Sequence, residues 1–561
     1  MTEMIALVAL HAGYSHSSLA LQSIAAYARH EPYYDRLRLF ESLVNGNHQP
    51  LLEALVALRP RIVGISTYLW NITAAIHLSK LLKRLLPDLV IVFGGPEAGP
   101  RGARLLQETP SLDFVIRGEG EAAFNDLVSF ILYGKGGLEK ISGLVYRAHG
   151  ATRENRVELL PVDRIPSTIA AGVAETNRPL VYWETSRGCP YRCSFCSSAT
   201  DRLRSLPLAR IEQDLRQLER LENKTVKLID RSFHLGKERS CRLLERFAGT
   251  PPGLRFHLEL NPDRISQQAM AIFAAAQPGK FQFEIGLQTL DEGVLETIRR
   301  SMDISKALQN IRQLVEMRRH PVHLDLIVGL PGENARQCAS ALDRTFSLHA
   351  DHLQLGTLKL LPGTPLLDQA EALGYRWDPD PPYEVLSHPH LEFSEIARFK
   401  RYAALLERLW NSGHLRTTLA GVVERCFQGS LCACFDELMR VCGEGLARDN
   451  LQPDTIFNHL TGFLQPYLNQ HPVLGEWLLW DYSHFSLTTG KTPQWIAQQL
   501  GQSERFVVDG RRRRLPLLTL RAEAVGLIRR LGHGVEAPGR YAVWPKQHKR
   551  GKPVEIIALN G

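Results

Sequence analysis

The residues with the sharpest chemical signature lie in the stretch ETSRGCPYRCSFCSSA, which spaces Cys189, Cys193 and Cys196 as C-x3-C-x2-C. Three soft thiolates on one tight loop suit three corners of an iron–sulfur cubane and leave the fourth iron without a protein ligand, open to substrate or cofactor. Structural zinc is the competing reading, but it normally takes four ligands, and no Cys or His follows Cys196 at a close conventional spacing. A second group, Cys426, Cys432, Cys434 and Cys442, is spaced C-x5-C-x-C-x7-C. That pattern matches no cluster array, so these thiols are expected to pack as small hydrophobes, with about four irons per chain rather than about eight.

A cluster loop needs a rigid strand behind it, and the run VYWET stands directly before the cysteines. With VKLID, RFHLEL, FQFEIGL, VHLDLIVG and LQLGTLKL, each beside a helical segment, it predicts a partial, TIM-like (βα)6 barrel over 179–378 with its active site at the carboxyl ends of the strands. Upstream, IALVAL, RIVGIST, LVIVFGG and FVIRGEG alternate with stretches of helical period, so residues 1–150 read as an α/β, doubly wound, Rossmann-like domain. Ligand-binding loops are then expected at His11 to Ser17, Ser66 to Asn71, Gly94 to Gly99 and Gly118 to Glu121. A polar, Pro-bearing linker is expected over 151–178, and after PDPDPPYE a mostly helical domain over 385–561 with a short basic β-rich end. Trp477, Trp480, Tyr482 and Phe485 are expected to pack its core.

Composition agrees with a folded multidomain protein: 561 residues, 44% hydrophobic and 22% charged. The sequence has no run of about 18 apolar residues and no readable signal peptide. Its nine cysteines are sparse and unevenly spaced, as in a reducing compartment, so a cytoplasmic protein without a membrane partner is expected. The net charge of +8 sits wholly in residues 501–561, which carry 13 Lys and Arg against 5 acids. The run Arg511 to Arg514 and the stretch KQHKRGKP raise a nucleic-acid reading, but a run of charge is more often a solvated face.

The cysteine array, with aromatic Phe195 just before its last member and a βα barrel behind it, resembles the radical S-adenosylmethionine (SAM) superfamily over roughly Tyr182 to Leu366. The resemblance implies a [4Fe-4S] cluster on Cys189, Cys193 and Cys196, with the amino and carboxylate groups of SAM on the open iron. Electron transfer would cleave the sulfonium and release a 5′-deoxyadenosyl radical. The SAM-binding set it implies is Phe195, Glu259, Gln288, Arg300 and Asp325, by likeness to the coproporphyrinogen dehydrogenase branch. Asp230 joins that set as a substitute, because KLIDRSFHLG stands where a Gly-Gly-Glu-like segment is usual.

A doubly wound domain before such a barrel is similar to the cobalamin-binding members of this superfamily, and LHAGYSHSSLALQSIAAY, GISTYLWNI, FGGPEAGP, FVIRGEGE and LKLLPGTPL resemble a subgroup with a helical C-terminal domain of unassigned function. By that likeness Ser66, Thr67, Gly94, Gly95, Gly118 and Glu119 are candidates for holding cobalamin. The D-x-H-x-x-G signature of an axial histidine is absent; His11 and His16 are the nearby imidazoles, and base-off binding without a protein ligand is expected. The implied reaction is methylation or other modification of an unactivated carbon in a small-molecule or peptide substrate, driven by an external reductant of flavodoxin or ferredoxin type. RNA modification of the methylthiotransferase type and a non-catalytic corrinoid carrier are the alternatives.

Overall fold

The computed structural model describes every residue except 1–2, 201, 234–236, 448–450, 486–493, 500–502, 509–510, 534, 536, 545–554 and 560–561. The basic stretch KQHKRGKP, at 546–553, lies outside the described residues, as do the side chains of Arg511 to Arg514 and Phe485. Among the described residues, no helix is long and apolar enough to cross a membrane. The chain divides into two compact units, one comprising the chain up to Glu284 with 295–303 and 358–389, the other 285–294, 304–357 and 390–561.

The first unit opens with β1 (Ile5–His11), α1 (Leu19–Tyr27), β2 (Leu37–Leu43), α2 (Gln49–Leu58), β3 (Ile62–Ser66), α3 (Ile72–Leu85), β4 (Val90–Gly94), α4 (Gly102–Glu108), β5 (Phe114–Ile116), α5 (Gly120–Tyr133), β6 (Leu144–Ala148) and β7 (Ala151–Glu154). The sheet order is β2-β1-β3-β4-β5-β6-β7; β1 to β5 pair in parallel, and β6 and β7 are antiparallel. Strand β1 is apolar at almost every position because both of its faces are covered. Ile5, Leu7 and Ala9 enter one core with residues of α1 and α5, while Ala6, Val8 and Leu10 enter the other with residues of α2, α3 and α4. The strand order reverses between β1 and β3, and such a switch point opens a crevice beyond the strand ends. The hairpin β6–β7 carries the sheet past the expected boundary at 150, to Glu154, through a turn in which His149 and Gly150 take φ of 51° and 77°.

Barrel strands follow in the same unit: β8 (Leu180–Trp183), the short pair β9 (Ser186–Arg187) and β10 (Arg204–Ser205), α6 (Leu208–Leu218), β11 (Lys224–Leu228), α7 (Lys237–Ala248), β12 (Leu254–Leu260), α8 (Gln267–Ala275) and the start of β13 (Phe281–Gln288). Strand β11 pairs in parallel with β8 and β12. One face of these strands is apolar: Val181, Trp183, Val226, Leu228, Phe256, Leu258, Phe281 and Phe283 are all buried, with Phe247 of α7 stacked on Phe256. The alternate positions carry Tyr182, Lys227, His257, Glu259 and Glu284. Barrel interiors are more often filled by branched aliphatic layers. Here His257 lies 2.7 Å from the Glu284 carboxylate and Lys227 lies 3.3 Å from it, which holds that carboxyl down at about 2, His257 being the larger cause.

The second unit contains α9 (Glu292–Thr297) in part, α10 (Ile304–Glu316), β14 (Val322–Val328), α11 (Ala335–Phe346) and β15 (His352–Thr357), with β14 and β15 parallel. After α12 (Pro365–Asp368), which belongs to the first unit, and the hairpin β16 (Arg376–Trp377) and β17 (Val385–Ser387), it continues as α13 (Phe393–Leu406), α14 (Arg416–Cys426), α15 (Leu431–Cys442), α16 (Pro453–Leu468) and α17 (Val473–Phe485). A four-stranded antiparallel sheet closes the chain. Trp477, Trp480 and Tyr482 are buried in this helical core, as expected.

Candidate functional site

The cysteine loop leaves the carboxyl end of β8, where a parallel sheet presents its ligand loops. Arg187 is followed by Gly188 at φ 83°, a left-handed turn that suits glycine. The loop is pinned at its centre, since the Ser194 amide donates to the Ile298 carbonyl (2.9 Å) and the Ser194 carbonyl accepts from the Leu366 amide (2.9 Å). The Cys196 amide donates to the Cys193 carbonyl (3.2 Å), which folds the two thiols into one turn. Cys193 is buried, and Cys189 and Cys196 are half-buried. Burial pushes the Cys189 and Cys193 thiols up; at Cys193 the Arg300 guanidinium, 3.8 Å from Sγ, opposes that rise. Among the described residues, no group of three His, Cys, Asp or Glu converges as a single ion would require. Three cysteine thiols on one strand-end loop are the donor set that a cubane with one open iron takes.

Asp230 lies beneath this loop. It is 1% exposed and accepts from the Thr185 amide (2.8 Å), the Thr185 hydroxyl (2.6 Å) and the Ser186 hydroxyl (2.6 Å). Both carboxylate oxygens are thereby engaged by the segment that leads into the cysteines, and burial pushes the carboxyl up to about 6. Arg300 also donates to Asn261 Oδ1 at 3.2 Å. Phe195 is half-buried in the loop itself, and Glu259 sits on β12, where burial pushes its carboxyl up. In the second unit, Gln288 ends β13 at φ 71°, an uncommon conformation for a residue with a side chain, and Asp325 lies on the half-buried face of β14. Nearby Glu333, which the sequence analysis did not single out, accepts from the Thr289 hydroxyl (2.5 Å) and is pushed up to about 7 by burial.

In the N-terminal domain the Gly-rich strand ends are stitched together. Thr67 donates to the Gly94 carbonyl from both its amide (2.7 Å) and its hydroxyl (2.8 Å), and that hydroxyl accepts from the Ala98 amide (3.1 Å). Gly95 takes φ 110°, and a Cβ there would meet the Thr67 carbonyl oxygen at 2.4 Å. Asn71, which the sequence analysis did not single out, joins the ends of β1 and β3 by donating to the Leu10 (3.0 Å) and Ser66 (3.1 Å) carbonyls. Tyr68 and Trp70 stack at 4.5 Å beyond β3, with Trp70 51% exposed. At the start of α1, Ser17 Oγ and Gln22 Nε2 are buried without a hydrogen-bond partner. Orphan groups beside a switch-point crevice fit a polar, nucleotide-bearing cofactor.

Both candidate axial histidines have protein neighbours: His11 Nε2 lies 3.5 Å from Glu41, and His16 Nδ1 lies 2.5 Å from the Tyr182 hydroxyl. Burial is the main cause that lowers the His16 pKa, so its ring is neutral near pH 7. Glu119, a candidate for the corrinoid, pairs with Arg187 (3.2 Å) and Arg204 and accepts from the Leu160 amide (2.8 Å). Gly118 beside it takes φ 78°.

Known proteins carry the same domains. The radical SAM superfamily matches residues 183–344 and the B12 binding domain matches residues 5–128. The chain therefore contains a radical SAM domain and a B12-binding domain. A third match, to a protein family of unknown function (DUF4080), covers residues 371–510 and defines the particular combination. The cobalamin-dependent radical SAM methyltransferase TokK of Streptomyces tokunonensis is 27% identical over 331 residues, 55% of this chain and 48% of that protein. The hopanoid C-3 methylase of Methylococcus capsulatus is 27% identical over 288 residues, 50% of this chain and 55% of that protein. The chain spans about half the length of these relatives. Among solved structures, the radical SAM methyltransferase TsrM of Kitasatospora setae, with cobalamin and a [4Fe-4S] cluster bound, aligns at a TM-score of 0.56 and 17% identity, over 68% of this chain and 78% of that one. The cobalamin-dependent SAM radical enzyme OxsB aligns at 0.56 and 15%, over 89% and 75%. The shared property at such identities is the fold.

Proposed function

We propose that this chain is a cobalamin-dependent radical SAM enzyme that methylates, or otherwise modifies, an unactivated carbon of a polar small molecule or peptide. The single observation that carries the reading is the cysteine loop: three thiols at a barrel strand end, pinned on both sides, behind a doubly wound domain with orphan polar groups at its switch point. When bound, the cluster supplies an electron that cleaves SAM and the corrinoid supplies a transferable methyl group. Cys189, Cys193 and Cys196 hold the cluster, and Phe195, Glu259, Gln288, Arg300 and Asp325 bind SAM. Asp230 acts from below, holding Thr185 and Ser186 so that the loop keeps its shape. Ser66, Thr67, Gly94, Gly95 and Gly118 form the strand ends that receive the corrinoid. The polar face made by Tyr182, Lys227, His257 and Glu284 supports a hydrogen-bonding substrate over a hydrocarbon one. An electron donor of flavodoxin or ferredoxin type and a reducing compartment, the cytoplasm, complete the reading.

The test is turnover of the anaerobically reconstituted holoprotein with methyl-deuterated SAM and titanium(III) citrate. Formation of 5′-deoxyadenosine and deuteromethyl transfer to a substrate are expected. Deoxyadenosine without a methylated product, once the true substrate is supplied, would reject methylation; no deoxyadenosine at all would reject the enzyme.

A further inference from the structure

The acids of the Gly118–Glu121 loop do not face an open cradle. They converge with Glu184, the residue after β8, on one guanidinium, that of Arg187. Arg187 donates to both Glu184 oxygens (2.9 Å each), to Glu121 Oε1 (2.6 Å) and to Glu119 Oε1 (3.2 Å), and reaches Ser23 Oγ of α1 at 3.4 Å. Arg204, paired across the short ribbon with Arg187, donates to the same Glu119 Oε1 and reaches Oε2 at 3.4 Å. The side chains of Arg187, Glu119, Glu121 and Glu184 are 16%, 15%, 6% and 7% exposed. Three carboxylates thus share two guanidiniums out of water, where the fork geometry of arginine makes several strong, directed bonds at once. Glu119 and Glu121 flank the N-terminus of α5, which itself favours negative charge there.

The position of this ion cluster is what gives it a role. Arg187 lies two residues before Cys189, and Glu119 and Glu121 follow Gly118 at the end of β5. We propose that Arg187 is a positioning residue that locks the cysteine loop to the 118–121 loop, so that the separation of the iron–sulfur cluster from the corrinoid is set by this buried ion cluster. The proposal rests on the two-cofactor reading above. Lysine at 187 keeps the charge but cannot make the fork, and glutamine at 121 removes one arm while leaving Arg187 paired with Glu184 and Glu119.

The experiment uses the full chain, reconstituted with iron and sulfide and titrated with hydroxocobalamin, as wild type, R187K and E121Q. After reduction, pulsed dipolar spectroscopy reads the distance distribution between the cluster spin and cob(II)alamin. Both variants are expected to hold wild-type iron and to keep the shift of the cluster signal on adding SAM. R187K should weaken hydroxocobalamin binding about tenfold and broaden the cluster–cobalt distribution, with E121Q changing both less. Should R187K fail to fold, E121Q carries the test. Binding within twofold of wild type and an unchanged distribution in the folded variants would overturn the positioning role. Wild type that takes up iron but no corrinoid would overturn the two-cofactor reading instead, and that outcome is seen without any variant.

Discussion

The two groups of cysteines in this chain sit on different backbone, one on a strand-end loop and the other on two helices. Cys189, Cys193 and Cys196 lie on a loop at a strand end, two of them half-buried, with an arginine at the third and a hydrogen-bonded carboxylate beneath the approach. Cys426, Cys432, Cys434 and Cys442 lie on α14 and α15, where Cys432 and Cys434 are fully enclosed and burial pushes both thiols far up. Cys432 Sγ donates to the Ala339 carbonyl at 3.8 Å and Cys442 Sγ to the His459 carbonyl at 3.5 Å, as thiols held inside a helical core do. Thiol chemistry is the same in both groups. Backbone shape and the cost of ionisation separate a ligand set from packing.

The largest effect expected from this contrast is at the loop. Replacing Cys189, Cys193 and Cys196 by alanine should reduce iron from about four per chain to background and lower deoxyadenosine formation by about 100-fold or more, read by iron assay and chromatography. Iron retained in that triple variant would move the cluster elsewhere and break the comparison.

Support beneath the loop should matter next. Asp230→Ala leaves the Thr185 amide and two hydroxyls without their buried acceptor, a loss of about 1 to 3 kcal/mol for an unsatisfied group, and should lower the iron taken up on reconstitution. The pH dependence sharpens this. The folded carboxyl is raised to about 6 from its usual 3.8, so the folded chain binds that proton more tightly than the unfolded chain does. Its contribution to stability is full below pH about 4 and is lost as pH rises through about 6. The difference in denaturation midpoint between wild type and Asp230→Asn should therefore drift in favour of the variant across that window; a flat difference would contradict the assignment.

Cys432→Ala with Cys434→Ala should have the smallest effect. Iron and deoxyadenosine should match wild type, while stability falls by about 1 kcal/mol per site from lost packing, measured by denaturant unfolding. A loss of half the iron would reveal a second cluster and erase the contrast.

The cysteine loop and the central strands of the N-terminal sheet were legible because ligand chemistry fixes short spacings and buried parallel strands write continuous apolar runs, as in IALVAL of β1. Strand β2 was not, since it is an edge strand with Arg38, Glu41 and Ser42 along it and only Leu37 fully buried. Asn71, Arg187 and the partners of Asp230 escaped notice for a different reason: their roles come from contacts far away in the chain, 68 residues for Arg187 with Glu119 and 164 for Arg187 with Ser23, and no local pattern encodes those. Glu119 illustrates the limit most clearly. A Gly-rich turn at a strand end suggested a ligand cradle, whereas the charge on its carboxylate is matched by Arg187 and Arg204.

The open corner of the cluster is the claim on which the reaction depends, and electron paramagnetic resonance of the dithionite-reduced, anaerobically reconstituted protein tests it directly. The expected spectrum is that of about one [4Fe-4S]+ centre per chain, with g values that shift when SAM is added. A spectrum that SAM leaves unchanged, or no cluster signal at all, would contradict it.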